Sequence, residues 1–230
     1  MLQLFIGNKN YSSWSMRAWV LLRQAGIDFD EVYVRFDSFD ADSEFKRVLG
    51  PVSPTGKVPV LVDADVAVWD TLAIAEYVAE TYPDKQLWPA TPKARAHARS
   101  ICAEMHSGFT ALRNHCPMNI EAHLSQTGAL IWRDKAGVRA DVQRLVDMWG
   151  ALLEEHGGPM LFGDFTVADA YFAPVCMRLH NYALPLPPHI AAYVERVRTL
   201  PGVQAWIDGA LAEKDFLDFE EPYRLRHSEG

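Results

Sequence analysis

Strand signals stop at residue 69 of this chain, and the periodic stretches after it read as helix. Leu2, Leu4 and Ile6 alternate with less apolar neighbours as one face of a strand does. A polar loop over Asn8–Ser12 leads into a helical pattern from Ser15 to Gln24, where Met16, Trp19, Val20 and Leu22 are apolar and Gly26 is a natural stop. Phe29–Arg35 predicts a second strand, and the polar stretch Asp37–Arg47 has room for a short helix. Val58–Val62 and Val66–Trp69 flank Asp63-Ala64-Asp65 as a hairpin, and Leu72–Tyr82 is helical up to Pro83. The order is β-α-β-α-β-β-α. The stretch Asp84–Ala94 holds Pro89 and Pro92 and has little periodicity, which predicts a linker. Helical patterns then run over Pro92–His115, Asp134–His156, Thr166–Asn181, His189–Thr199 and Val203–Lys214, with prolines 185, 187, 188 and 201 as breaks. A switch from mixed α/β to all-α across a proline-bearing connection predicts two domains, 1–83 and 95–230, joined by 84–94.

Composition removes several classes of function. The 22 basic residues against 30 acidic ones leave a net charge of −8, the wrong sign for nucleic acid or an anionic membrane as a main partner. No run approaches the roughly 20 apolar residues of a membrane span. The start, Met1–Gly7, has no basic segment and reads as a strand, not as a signal peptide. Cys102, Cys116 and Cys176 form no Cys-x-x-Cys pair, and an odd, sparse set suits buried thiols in a reducing cytoplasm. His97, His106 and His115 are spaced by nine, and His123, His156, His180, His189 and His227 are scattered, so no metal is expected. No glycine-rich phosphate loop supports a nucleotide.

Three short constellations carry chemistry. Pro59 interrupts Lys57-Val58-Pro59-Val60-Leu61-Val62, which otherwise reads as a buried strand. Proline has no N–H for a ladder, so this backbone is expected in a special geometry, with a cis bond as one form, and its edge can pair with an extended peptide. Tyr11-Ser12-Ser13-Trp14-Ser15-Met16-Arg17 falls between the first strand and the first helix, where free N–H groups favour an anion. Ser12 and Ser15 stand at the spacing of a redox pair, but serine forms no disulfide, and the same serines also serve as helix caps. Asp70-Thr71 opens the next helix: the carboxylate can hold an ammonium group and the Thr71 hydroxyl and N–H a carboxylate, or the pair simply caps the helix. Further on, Thr166 and Asp169 form a capping box with a structural role.

Taken together, Ser12–Arg17, Gly56–Leu61, Asp70–Tyr77, Leu87-Trp88-Pro89 and Gly163–Asp169 resemble the cytosolic glutathione S-transferases over nearly the whole chain, nearest to zeta-like members of the serine type. The resemblance implies a thioredoxin-like N-terminal domain, an all-α C-terminal domain, glutathione as co-substrate and a homodimer. It implies Ser12 as the hydroxyl that meets the glutathione sulfur, with Ser13 as the alternative. It further implies Val58 pairing with the cysteinyl backbone beside a cis Pro59, Asp70 and Thr71 at the γ-glutamyl group, and Lys57 with the Lys46 region at the glycine carboxylate. The context of Tyr11 argues against a tyrosine-type activator. Trp14 and Met16 replace the cysteine and tryptophan of the zeta motif, which weakens the case for maleylacetoacetate isomerisation.

The expected reaction is attack by the glutathione thiolate on a small hydrophobic electrophile. A free thiol titrates near 8.5, and a fall of about two units, worth roughly 2.7 kcal/mol, makes thiolate predominant at neutral pH. Trp14, Met105, His106, Phe109 and Arg113 are the candidate wall of the electrophile site, with His106 and Arg113 on one helical face, and Phe216, Phe219 and Tyr223 are a candidate cover. A glutathione-dependent isomerase and a non-catalytic binder are the alternatives.

Overall fold

The computed structural model describes residues 1–225; residues 226–230, His227 among them, lie outside the described part. Four strands form one sheet in the order β2-β1-β3-β4. The central strand β1 (Leu2–Ile6) runs parallel to β2 (Phe29–Tyr33), with Leu4 opposite Glu31, and antiparallel to β3 (Val60–Asp63), with Leu4 opposite Leu61. β3 in turn pairs antiparallel with β4 (Val66–Trp69). Leu2, Leu4 and Ile6 are buried, as the alternation predicts.

Pro59 precedes β3 rather than opening it. The Val58–Pro59 bond is cis, and the ladder starts at Val60, the first residue that can donate an N–H. The helix α1 (Ser13–Gln24) begins two residues before the apolar pattern does, because Ser12 caps it. A short α2 (Glu44–Leu49) is capped by Ser43, and α3 (Thr71–Thr81) by Asp70.

All helices among the remaining described residues pack as one assembly. The single helix predicted over 92–115 is two, α4 (Pro92–Ser107) and α5 (Thr110–His115). Between them Gly108 is extended and Phe109 adopts a left-handed backbone at φ 53°; a Cβ on Gly108 would stand 2.7 Å from the Glu104 carbonyl oxygen. The helix α6 (Ser125–Asp134) has no counterpart in the sequence reading, and Lys135 separates it from α7 (Ala136–His156). Then come α8 (Val167–Asn181), α9 (Pro188–Arg198) and α10 (Pro201–Glu213). The Thr166–Asp169 capping box heads α8 as expected. Burial pushes the Asp169 carboxyl up to about 6, against hydrogen bonds donated by Thr166, Leu161 and Tyr193.

Nearly every residue of α8 is buried, because α1, α4 and α9 cover it. α1 packs on α8 and α10, so one apolar cluster runs from β1 through α1 to the C-terminal helices. The 84–94 segment is docked too: Leu87 and Trp88 are buried and the Leu87 carbonyl accepts from the Val167 N–H at 2.9 Å. Among the described residues no helix is long and apolar enough to cross a membrane, and no cluster of metal-ligating side chains occurs.

Candidate active site

The head of α1 is held by its own serines. Ser12 Oγ accepts from the Ser15 N–H at 3.4 Å and donates to Ser15 Oγ at 2.8 Å. Ser15 Oγ also accepts from the Gly7 N–H at 3.2 Å, which ties the helix to the end of β1. Ser13, one residue further, is turned the other way, and its Oγ accepts from Nη2 of Arg178 on α8 at 3.1 Å. A hydroxyl that accepts from a guanidinium points its proton away from the cation.

At the head of α3, Asp70 sits at φ 75° and its Oδ1 accepts from the Leu72 N–H at 2.9 Å. Its Oδ2 stands 3.4 Å from Nε2 of His106, which comes from α4. The Thr71 hydroxyl shares a 2.7 Å hydrogen bond with the Tyr171 hydroxyl of α8, and Thr71 is the first residue of α3, where backbone N–H groups have no partner within the helix.

These two helix heads and the cis bend line one cleft. A cavity of about 620 Å³ is bordered by Lys57, Val58, Pro59, Asp70, Thr71 and His106. A second, of about 410 Å³, is bordered by Ser12, Ser13, Phe36, Phe39, Met118 and Glu220. Both are lined by Trp14, Lys57, Val58 and Arg113, which makes them two ends of one groove with Trp14 at the waist. The Trp14 ring lies between the guanidiniums of Arg17, at 4.4 Å, and Arg113, at 5.2 Å, with the His106 ring edge-on at 4.9 Å. Burial lowers Arg17 to about 10, so it remains a cation at neutral pH.

The groove is thus locally positive on a chain of net charge −8, with Lys46, Lys57, Arg113 and Arg178 along it. Lys46 is already engaged: its Nζ donates to the Gly56 carbonyl at 2.7 Å. A tripeptide with two carboxylates, one ammonium and an ionisable thiol matches this pattern, since Asp70 is the lone carboxylate at the far end.

Several sequence expectations change place. Met105 is only 2% exposed and Phe109 only 6%, and both belong to the apolar core rather than to the groove walls. Met105 shares the buried face of α4 with Ala98, Ile101 and Cys102, and the break at Gly108–Phe109 sets the left-handed Phe109 inward. His106, expected at the electrophile wall, sits at the Asp70 end. Trp14 and Arg113 border both ends.

The tail also closes differently. Phe219 is 52% exposed and meets Phe39 edge-on at 5.7 Å, while the Tyr223 hydroxyl donates to the His115 carbonyl at 2.9 Å and Phe216 lies beneath Arg224 at 5.4 Å. Glu220 is the tail residue that lines the groove. Tyr11 is committed to this tail: its hydroxyl donates to Glu221 Oε1 at 2.8 Å and accepts from the Leu217 N–H at 3.2 Å.

Phe36, Phe45, Met118, Glu220 and Arg178 border the groove without having been singled out in the sequence. Arg178 did carry a signal, a cation inside the apolar run Val175–Leu179. Met118 lies in an irregular segment with no pattern to read.

Known proteins resemble this chain along most of its length. The family model described as glutathione S-transferase, N-terminal domain, matches residues 11–81, and that for the C-terminal domain matches 121–209. A probable maleylacetoacetate isomerase from Caenorhabditis elegans is 30% identical over 203 residues, covering 85% of this chain and 87% of the relative. Glutathione S-transferase GstA of Escherichia coli O157:H7 is 31% identical over 200 residues, covering 83% and 90%. The crystal structure of a glutathione transferase homologue from Burkholderia GL BGR1, solved with bound glutathione, superposes with a TM-score of 0.66 at 25% identity, over 92% of this chain and 98% of that one. With both family models matched and relatives aligned along most of its length, the chain belongs to the glutathione S-transferase family.

Proposed function

We propose that this transferase adds the thiolate of glutathione to a small hydrophobic electrophile, with a serine hydroxyl at the head of α1 stabilising the thiolate. The observation that carries the reading is the single groove joining Ser12 and Ser13, the cis Val58–Pro59 bend and Asp70. Glutathione lies along it with its ammonium at Asp70 and its γ-glutamyl carboxylate at the Thr71 N–H. The cysteinyl backbone pairs with Val58, and the glycine carboxylate meets Lys57 and the Lys46 region. Residues 1–83 form the glutathione-binding unit, 84–94 the connection, and 95–230 supply the far wall of the electrophile site.

The sulfur then faces the cavity of about 410 Å³ and its aromatic wall. The thiol proton leaves to solvent, so no general base is required. The thiolate forms a C–S bond while the leaving group departs with its electron pair, or while a conjugated double bond takes up that pair and then a proton from water. Dipole stabilisation at a helix head is worth about 0.3–1 kcal/mol. Most of the roughly 2.7 kcal/mol needed for a two-unit fall must therefore come from the hydroxyl and nearby cations. Trp14 and Arg113 at the waist separate the tripeptide from the electrophile.

The relatives named maleylacetoacetate isomerase favour a second reading, in which glutathione adds to a cis-enone and is released again. The family also supports a homodimer, and the chain's make-up a cytoplasmic location; a solution mass of 25.9 kDa would overturn the dimer. The deciding experiment titrates the ultraviolet thiolate absorbance of bound glutathione in wild type, Ser12→Ala and Ser13→Ala. Turnover is then followed on aryl halides, epoxides, peroxides and cis-enones. If neither variant moves the thiol titration, the serine mechanism is wrong. Isomerised enone without consumption of glutathione selects the second reading.

A further inference from the structure

Behind the sulfur end of the groove stands a buried guanidinium. Arg178 is 7% exposed, in the last turn of α8, a helix buried along nearly its whole length. Nη1 donates to the backbone carbonyls of Cys116 and, at 3.5 Å, Arg113, while Nη2 donates to Ser13 Oγ at 3.1 Å. The C-terminal helices thus hold one prong of the fork, and the other reaches across to the first residue of α1. These partners are neutral oxygens, which orient the guanidinium without cancelling its charge. In a low-dielectric setting such a charge acts over several ångströms.

The groups that face it are few. Burial lowers Arg178 to about 10, with Arg113 and Arg17 acting the same way and Tyr182 and Cys116 opposing them, so it is charged throughout the neutral range. Glu220 of the tail borders the same cavity; burial pushes its carboxyl up and Arg178 pulls it back down. Arg178 also makes Ser13 unlike its neighbour. Ser12 donates its proton inward to Ser15, whereas the Ser13 lone pair is occupied by a cation. The Ser13 proton is thereby turned away from α8, and Ser13 and Arg178 both border the cavity.

We propose that Arg178 is a positioning residue for thiolate formation: it aims the Ser13 hydroxyl at the sulfur of bound glutathione and lends the thiolate a buried positive charge. This rests on the reading that a serine hydroxyl at the head of α1 stabilises the thiolate. It makes Ser13 the donor to sulfur and leaves Ser12 as the helix cap. It also assigns the C-terminal helices a part in thiol activation, beyond forming a wall for the electrophile.

The test is a thiolate titration of the glutathione complex of the full chain in wild type, Ser13→Ala, Arg178→Gln and the double variant. Glutamine keeps a donor for the Cys116 carbonyl and removes the charge. Arg178→Gln is expected to raise the thiol pKa by about one pH unit, the size of a charge-assisted hydrogen bond made weaker. Affinity for S-methylglutathione, which has no thiol to ionise, is expected to stay at the wild-type value. The double variant should fall short of the sum of the single changes, because Arg178 acts through Ser13.

If Ser13→Ala raises the thiol pKa and Arg178→Gln does not, the proposal is overturned while the serine reading stands. Additive effects overturn the claim that Arg178 works through Ser13. If Ser13→Ala itself changes nothing, the proposal is overturned and the serine reading passes to Ser12; it fails as well only if Ser12→Ala is also silent. Should Arg178→Gln not fold, Arg178→Lys carries the same test. Its ammonium keeps the charge but lacks the planar fork that spans the Cys116 carbonyl and Ser13 Oγ, so a smaller rise in the same direction is expected. A folded Arg178→Lys protein with the wild-type thiol pKa refutes the aiming of Ser13 by the fork.

Discussion

Replacing Tyr11 by phenylalanine removes an oxygen through which the loop before α1 grips the C-terminal tail. That oxygen donates to Glu221 Oε1 at 2.8 Å and accepts from the buried Leu217 N–H at 3.2 Å. A hydrogen bond to a charged group contributes about 1.5–3 kcal/mol, and a buried N–H left without its acceptor costs about 1–3 kcal/mol. The two do not add in full. Glu221 keeps Arg224 and the Asn119 amide, and the phenyl ring keeps its place among Phe36, Phe45 and Leu217. We expect Tyr11→Phe to lower stability by about 2–3 kcal/mol, or roughly 5–10 °C in melting temperature for a chain of this size. The thiol titration of bound glutathione should not move. Burial, reinforced by the bond to Glu221, pushes the Tyr11 hydroxyl up to about 12, so it stays protonated and engaged with the tail.

The same clasp sets a pH dependence. Burial alone would raise the Glu221 carboxyl, but hydrogen bonds from Arg224, Tyr11 and Asn119 together outweigh it and hold it below its ordinary 4.5. A carboxyl depressed in the folded state stabilises fully above its unfolded value, and that stability is lost as pH falls through the folded value. The cost of Tyr11→Phe should therefore be full at neutral pH and shrink once pH drops below 4.5. Denaturant unfolding at neutral and acid pH measures it. A wild-type stability at neutral pH refutes the clasp. A raised thiol pKa in Tyr11→Phe would make Tyr11 the donor to sulfur and refute its assignment to the tail.

Asp70→Asn keeps the cap of α3, since asparagine caps as well as aspartate, so stability should change by less than about 0.5 kcal/mol. Glutathione affinity should fall about tenfold through loss of the charge opposite the ammonium, and an unchanged affinity by calorimetry would remove Asp70 from the site. Gly128→Ala on α6 places a Cβ 1.8 Å from the Tyr182 carbonyl oxygen, a backbone atom that cannot step aside. We expect it to destabilise by about 3 kcal/mol or more despite a gain of about 1 kcal/mol in helix propensity. Gly150→Ala on α7, whose Cβ meets only the His189 side chain at 3.4 Å, is the control and should be neutral or stabilising.

The order of strands and helices was legible in the first 83 residues because period-2 and helical patterns are local properties of the chain. Pro59 announced an unusual backbone through its missing N–H alone, and the bend is cis. The capping residues before α3 and α8 declared themselves in the same local way. The Gly108–Phe109 break was hidden because the stretch around it keeps a helical pattern, and α6 was hidden because Ser-Gln-Thr-Gly carries little apolar signal. Placing Phe109 on the groove wall failed with that break, and placing Met105 there failed because it falls on the buried face of α4 with Ala98, Ile101 and Cys102.

What only the tertiary structure decided is which distant groups meet at the groove. Thr71 and Tyr171 are 100 residues apart, Ser13 and Arg178 are 165, and Tyr11 and Glu221 are 210. The chain's local chemistry determined that residues 12, 58 and 70 carry a hydroxyl, a bend and a carboxylate. It also determined that a mixed sheet is followed by helices. Spacing and capping act over one or two helical turns, whereas the side chain behind each serine depends on how α8 crosses α1, and that crossing is set by burial of the whole apolar cluster.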